Sequence, residues 1–305
     1  MSGFFDRSES LLGEAAMTRL AAAHVLVVGV GGVGSWCAEA LVRTGLGHVT
    51  LVDDDVVAES NVNRQCPATA LTVGRPKVEA MAERLKAINP ACEVAALAVR
   101  FPGAACDSRS TSSPSRASLS STTSLSSRSS LSSYDLVIDA IDSIDSKATL
   151  ILAATEAGVP LVSSMGAALR LDPTQVRVTR FEKVVGDGLA RALRQRFKRI
   201  GRWPKGRFSC VWSGEAVHGV LSSEAERIPL LHSCASEAER IPLPHSGENQ
   251  TIKQSNNQTI PKGSLMPVTA TFGMCLASEA IRILTTGEPA GNETGLSGLT
   301  KGEET

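Results

Sequence analysis

The chain has 305 residues, 42% of them hydrophobic, with 31 basic and 31 acidic side chains and therefore no net charge. That length accommodates one large or two modest domains with a real core, and the charge balance excludes global attraction to nucleic acid, so any such binding has to come from a local patch. The seven cysteines (37, 66, 92, 106, 210, 234 and 275) form no C-x-x-C pair, which argues against a structural zinc or a secreted disulfide framework and predicts a reducing, cytoplasmic setting.

Residues 1–22, with the opening "MSGFFDRSES", lack the basic start and apolar core of a signal peptide and read as an N-terminal arm. No later stretch reaches the roughly 20 uninterrupted apolar residues of a membrane span, so no membrane partner is expected. "HVLVVG" is a buried strand that runs through Gly29, Gly31, Gly32 and Gly34 into a helix over 33–45. "HVTLVD" is a second strand, 76–88 a helix with Val78, Met81, Leu85 and Ile88 at helical spacing, and "EVAALAV" a third strand. Between 108 and 133, 15 of 26 residues are Ser, which predicts a disordered insertion. "YDLVIDAID" (134–142), a helix to about 157 and "VPLVSS" resume the pattern, and a basic helix spans 188–199. Residues 222–263 hold a duplication, "SEAERIPLLHS" and "SEAERIPLPHS", and are expected to be a solvated loop. His232, Cys234 and His245 within that tract lack metal-ligand spacing. "VTATFGMCLASEAIRILTTGE" is a closing helix, followed by a frayed tail from 289.

Strand–helix–strand order of this kind predicts an α/β fold: a Rossmann-like, doubly wound, mostly parallel sheet with a smaller C-terminal lobe and two low-complexity insertions. The expected boundaries are a nucleotide domain at 23–186, a substrate lobe with the closing helix at 187–288, and a tail at 289–305.

The glycine loop suits a phosphate at a helix N-terminus but does not choose among nicotinamide, flavin and ATP. Charges downstream choose. "LVDDDVVAESNVNRQ" supplies Asp53, Asp55, Asn61, Arg64 and Gln65, "VGRPK" supplies Lys77, and "IDAID" supplies Asp139 and Asp142, all near strand ends on the sheet's carboxyl edge. Hydride transfer needs few such cations. Nucleotidyl transfer needs Arg and Lys on the departing phosphates and a carboxylate for Mg²⁺. Singly, Arg64 reads equally as a surface residue, Lys77 as a solvated helix start and Asp142 as a cap; together they favour ATP. Neither Arg64 nor Lys77 reads as core.

In that order and spacing, G-x-G-G-x-G, "DDD", "NRQ", "VGRPK" and "DAID" resemble the superfamily of ubiquitin-activating and molybdopterin- and thiamine-pathway adenylyltransferases. The resemblance implies that Asp53 binds ribose, that Asp55 lies beside the nucleotide, that Arg64 and Lys77 bind phosphates, and that Asp142 holds Mg²⁺. It also implies a homodimer in which Arg7 reaches the partner's site. Within the superfamily, "RTGLGHVTLVDDD", "LDPTQVRVTR", "FSCVWSGEAV" and the basic helix resemble the branch of tRNA threonylcarbamoyladenosine dehydratases, as does the lack of C-x-x-C pairs. The implied reaction activates the threonyl carboxylate of the modified adenosine with ATP, after which a carbamoyl nitrogen closes the ring. No cysteine nucleophile is then required, so Cys210 reads as packing.

Three alternatives remain: adenylation of the C-terminal glycine of a ubiquitin-like or sulfur-carrier protein, a nicotinamide-dependent oxidoreductase, and a non-catalytic nucleotide-binding scaffold. The segment 191–207 bears on the first. It carries eight Arg or Lys in seventeen residues and no acid, with Phe197 and Trp203 interleaved. Arg191, Arg194, Lys198, Arg199 and Arg202 are its candidate tRNA contacts.

Overall fold

A computed structural model of the chain describes residues 3–102, 131–217 and 263–287. Helices α1 (Asp6–Leu12) and α2 (Glu14–Ala22) precede β1 (His24–Val28), α3 (Gly34–Thr44) and β2 (His48–Val52). Then come α4 (Lys77–Ile88), β3 (Glu93–Leu97), β4 (Leu136–Asp139), α5 (Ile144–Ala157) and β5 (Leu161–Ser164). The remainder is β6 (Val176–Arg180), α6 (Gly188–Ile200), β7 (Ser209–Ser213) and α7 (Met266–Thr286).

The strands make one seven-stranded sheet in the order β3-β2-β1-β4-β5-β7-β6, parallel throughout except where β6 runs antiparallel to β7. β1 explains why its sequence is apolar without alternation. Val25 and Val27 enter the core under α3, α4 and α7, whereas Leu26 and Val28 enter the core under α5 and α6. A parallel strand covered on both faces has no polar side to show. The order of connection reverses between β1 and β4, which opens a crevice beyond their carboxyl ends.

The structure shifts two expectations. The division at 186/187 falls inside the sheet, because β7 pairs with β5 and α7 packs along α3 rather than in a lobe of its own. Leu131, counted in the Ser-rich tract, is fully buried beside Phe101 and Ile151. The rest of that tract to residue 130, the duplicated tract up to 262 with His232, Cys234 and His245, and the tail from 289 lie outside the described residues. Among the described residues only α7 is long and apolar enough to cross a membrane by length and composition. It is a core helix: Val268, Phe272, Leu276, Ala280 and Ile283 complete the core beneath α3, and a side chain at Gly273 would meet the Val33 carbonyl at 2.6 Å.

Candidate active site

The crevice beyond β1 and β4 is a cavity of about 930 Å³. It gathers residues from every segment of the expected nucleotide site. Gly29, Gly31, Gly32, Asp53, Asp55, Asn61, Arg64, Gln65, Lys77 and Asp142 all line it. Two glycines shape the loop by close approach. Gly29 has φ +93° and a side chain there would stand 2.6 Å from the Ala140 carbonyl; one at Gly34 would strike the Gly29 carbonyl. Gly34 thus packs α3 on the loop and lies outside the cavity lining.

Asp53, at the end of β2, ties strand to loop. Its carboxylate accepts N–H groups from Val30 at 2.7 Å and Asp55 at 2.9 Å. Burial pushes its pKa up, against the pull of the Lys77 charge and these N–H groups. Lys77 differs from expectation. It is buried at the first turn of α4, with Nζ 2.6 Å from Oδ2 of the exposed Asp55. A cation there opposes the helix dipole, and its aspartate partner offsets the cost. Arg64 is half-buried, donating to the Ser60 carbonyl at 2.7 Å and to Asn63 Oδ1 at 2.8 Å, while its own carbonyl accepts from Trp36 Nε1. Asn61 Oδ1 accepts from the Ala58 N–H. Gln65 is buried, and its Oε1 has no hydrogen-bond partner among the described residues. An unpaired polar atom in a cavity wall is costly unless a ligand completes it.

Carboxylates could coordinate a cation at two places. Asp142 is exposed on the cavity lining, and the carboxylates of Asp53, Asp54 and Asp55 each place an oxygen within 4.8 Å of the others. All-oxygen donors beside a phosphate loop suit Mg²⁺, which takes one or two carboxylates together with phosphate oxygens.

Some predicted residues stand elsewhere. Arg7 is exposed on α1 and does not line the cavity of its own chain. On α6, Arg194 is half-buried. It donates to the carbonyls of Phe181 at 2.8 Å and Val184 at 2.7 Å and lies over the Phe181 ring, so it holds the turn before the helix. Arg202 is paired with Glu156 at 2.7 Å. Arg191, Lys198 and Arg199 are exposed, with no ion pair among the described residues.

Sequence reasoning passed over two buried cations, Lys147 and Arg170. Asp139 is fully buried beneath the crevice, where it accepts from Ser163 Oγ at 2.7 Å and faces Lys147 Nζ at 2.9 Å. Lys147 is the lone cation of helix α5 and falls on its buried face between Ser146 and Ala148, a signal that it has an acid to meet. Arg170, after β5, is buried in the cavity wall. The thiols are ordinary core groups. Cys210 is fully buried, which pushes its pKa well up, and Cys66, donating to Glu39, is pushed up to about 12 by burial and that carboxylate.

The chain is similar in sequence and fold to known proteins. Residues 5–301 match the ThiF family. The tRNA threonylcarbamoyladenosine dehydratase of Escherichia coli is 41% identical over 218 residues, 70% of this chain and 74% of that protein. The Bacillus subtilis protein of the same name is 38% identical over 197 residues, 65% of this chain and 70% of that one. The crystal structure of the E. coli dehydratase with ATP covers 92% of this chain and 93% of its own at 33% identity, with a TM-score of 0.65. A nicotinamide enzyme would leave Arg64 and Lys77 without employment at the loop, and no such enzyme is needed to account for the crevice. With nearly the whole chain matched and the expected polar residues converging on one cavity, the protein belongs to the ThiF family.

Proposed function

We propose that this protein uses ATP to cyclise threonylcarbamoyladenosine in tRNA, with net loss of water, through an acyl-adenylate. The observation that carries the proposal is the convergence of the glycine loop, Arg64, Gln65, Lys77 and Asp142 on one cavity. It is supported by the relatives and the solved structure of that activity.

A carboxylate is a poor electrophile with a poor leaving group. One of its oxygens attacks the α-phosphorus of ATP, the bond from that phosphorus to the bridging oxygen breaks, and pyrophosphate leaves with the electron pair. A carbamoyl nitrogen then attacks the activated carbonyl, AMP departs, and the nitrogen's proton passes to solvent. The chain's part is positioning and charge. The first turn of α3 points backbone N–H groups at the phosphates. Arg64 and Lys77 exchange the Asn63 and Asp55 oxygens for those of the leaving pyrophosphate. Asp53 holds the loop and the ribose, and Gln65 Oε1 finds its missing donor on the ligand. Asp142, with the Asp53–Asp55 cluster nearby, is the residue that would hold Mg²⁺, which supplies charge neutralisation to the phosphates. Arg7 serves the cavity of a second copy in a homodimer, and the exposed cations of α6 lie along the tRNA backbone. No thioester is invoked: the internal nitrogen is the nucleophile, and the buried Cys210 has no accessible thiolate.

Incubation with ATP and tRNA bearing the modified nucleoside, followed by nucleoside mass measurement, tests the reading. Loss of one water together with AMP and pyrophosphate formation is expected. Unchanged nucleoside, with adenylation only of a protein ending in glycine, overturns it in favour of a ubiquitin-like or sulfur-carrier substrate.

A further inference from the structure

A cavity of 930 Å³ is near the top of the roughly 300–1,000 Å³ range of small-molecule sites, so a nucleotide on the glycine loop leaves a second half to fill. That half is walled by the loop Gly166–Arg170 and the first turn of α6. Arg170 is only 2% exposed, yet its charge is poorly met. Nη2 stands 3.6 Å from Asp187 Oδ2, beyond hydrogen-bond reach, while Nε and Nη1 have no hydrogen-bond partner among the described residues. Asp187 is committed elsewhere, as the N-cap that accepts from Ala190 N at 2.8 Å and as acceptor of the Gly166 N–H at 3.2 Å. Lys147 shows the contrast, since it meets Asp139 at 2.9 Å and the Ile141 carbonyl at 3.0 Å. A desolvated guanidinium with two unbonded nitrogens is expensive to keep.

The backbone is also strained at this point. Leu169 has φ 60°, the one positive value for a non-glycine among the described residues. Its N–H donates to the Gly263 carbonyl at 2.9 Å, and beyond Arg170 the N–H groups of Leu171 and Asp172 donate to Glu215. The loop is thus pinned on either side of Arg170. Strain of this kind persists only where the surroundings impose it, and it collects at functional sites.

We propose that Arg170 and the N-terminus of α6 form a subsite for the acceptor's carboxylate, separate from the phosphate subsite of the glycine loop. The inference rests on the adenylation reading above. Among the groups that line this half of the cavity, the guanidinium brings one positive charge and the 13-residue helix about half of another, against the negative charge of Asp187; Glu215 lies behind the loop, outside the lining, where it accepts the Leu171 and Asp172 N–H groups. The surplus is positive, as an anion site requires. A guanidinium fork matches a carboxylate, and this one is stripped of water before the ligand arrives. While one carboxylate oxygen attacks the α-phosphorus, the other stays on these donors. When the nitrogen adds to the adenylate, negative charge develops on that same oxygen, and the same donors stabilise it.

The test separates carboxylate recognition from mere folding. Protein saturated with α,β-methylene-ATP is titrated with threonylcarbamoyladenosine and with its methyl ester, for the parent and for Arg170→Met, with melting temperature, ATP affinity and tRNA conversion measured alongside. The parent should bind the acid at least about tenfold more tightly than the ester, the scale of a charge-assisted contact. Arg170→Met should bind the two alike, keep the parental ATP affinity, melt no lower than the parent, and convert tRNA more slowly. A parent without preference for the acid overturns the proposal with no variant needed. So does a variant that keeps the preference, or one that melts far below the parent and loses ATP. Failure of the parent to convert tRNA, with the acid preference intact, would instead count against the adenylation reading alone.

Discussion

Lys77 and Arg64 are both cations on the phosphate side of the cavity, but the structure separates what their loss should cost. Arg64 is half-buried and bonded only to its own turn, so Arg64→Ala should lower turnover by ~10²–10³-fold, the scale for removing a transition-state charge partner, with little change in melting. Lys77→Ala should lower turnover as much and also melt lower by a few degrees, since a buried stem is lost at a cost of about 1–2 kcal/mol and Asp55 is left in water. ATP–pyrophosphate exchange and thermal melting on the same preparations check both; unchanged exchange removes the two residues from the mechanism. Glu39 makes a different prediction. Burial alone would raise its carboxyl, yet hydrogen bonds from Arg84, the Cys66 thiol and Arg43 hold it at about 2. The folded value lies below the unfolded one, so its stabilisation is complete above about pH 4.3 and is lost as pH falls through about 2. Glu39→Gln should therefore melt below the parent at neutral pH, and the gap should close across that acid window. A gap constant with pH would show that the ionised carboxylate contributes nothing.

At the scale of elements, α6 has two faces with two duties. Ala190, Leu193 and Phe197 are buried, Arg194 braces the preceding turn, and Arg191, Lys198 and Arg199 face solvent. Replacing those three with Gln should weaken any tRNA about equally and reduce the log–log salt slope by about 0.7–0.9 for each phosphate no longer neutralised. Arg194→Gln should lower melting and leave the slope alone. Equal slopes in parent and triple variant, measured by tRNA binding over a salt series, would take the patch out of RNA recognition. This division was not readable from the sequence, where Arg194 and Arg202 stood beside Arg191, Lys198 and Arg199 as equal candidates for tRNA contact. Strands and helices were readable, because β1, β2 and β4 are unbroken apolar runs and α4 repeats at helical spacing, both local signals. That the residues around the glycine loop would share one cavity was legible for a related reason: they follow strand ends that the pattern itself locates. Burial of Lys77, Lys147 and Arg170 was not, since it depends on groups distant in sequence: Asp55 and Asp139 meet the two lysines, and Arg170 has only the 3.6 Å approach of Asp187.

Over the whole molecule, insertions are tolerated where they leave the core alone. Deleting residues 108–130 should change melting and activity little, as loop closure varies by only ~0.6 kcal/mol per doubling of length. Extending the deletion through 133 removes Leu131 from beside Phe101 and should cost about 2–5 kcal/mol, seen as a melting point lower by several degrees. If both deletions behave alike, Leu131 is not the anchor its burial indicates. The last described helix is the opposite case. α7 closes the core under α3, and its Thr269 also lines the nucleotide cavity, so residues more than two hundred positions apart are needed to hold the glycine loop. A ribosome delivers them in order, first the loop and only much later its support. Until then the nascent chain carries a bare apolar face, the surface that chaperones hold and proteases find. A message that stops before the codon for Met266 therefore specifies no weaker form of this protein, only a chain marked for removal.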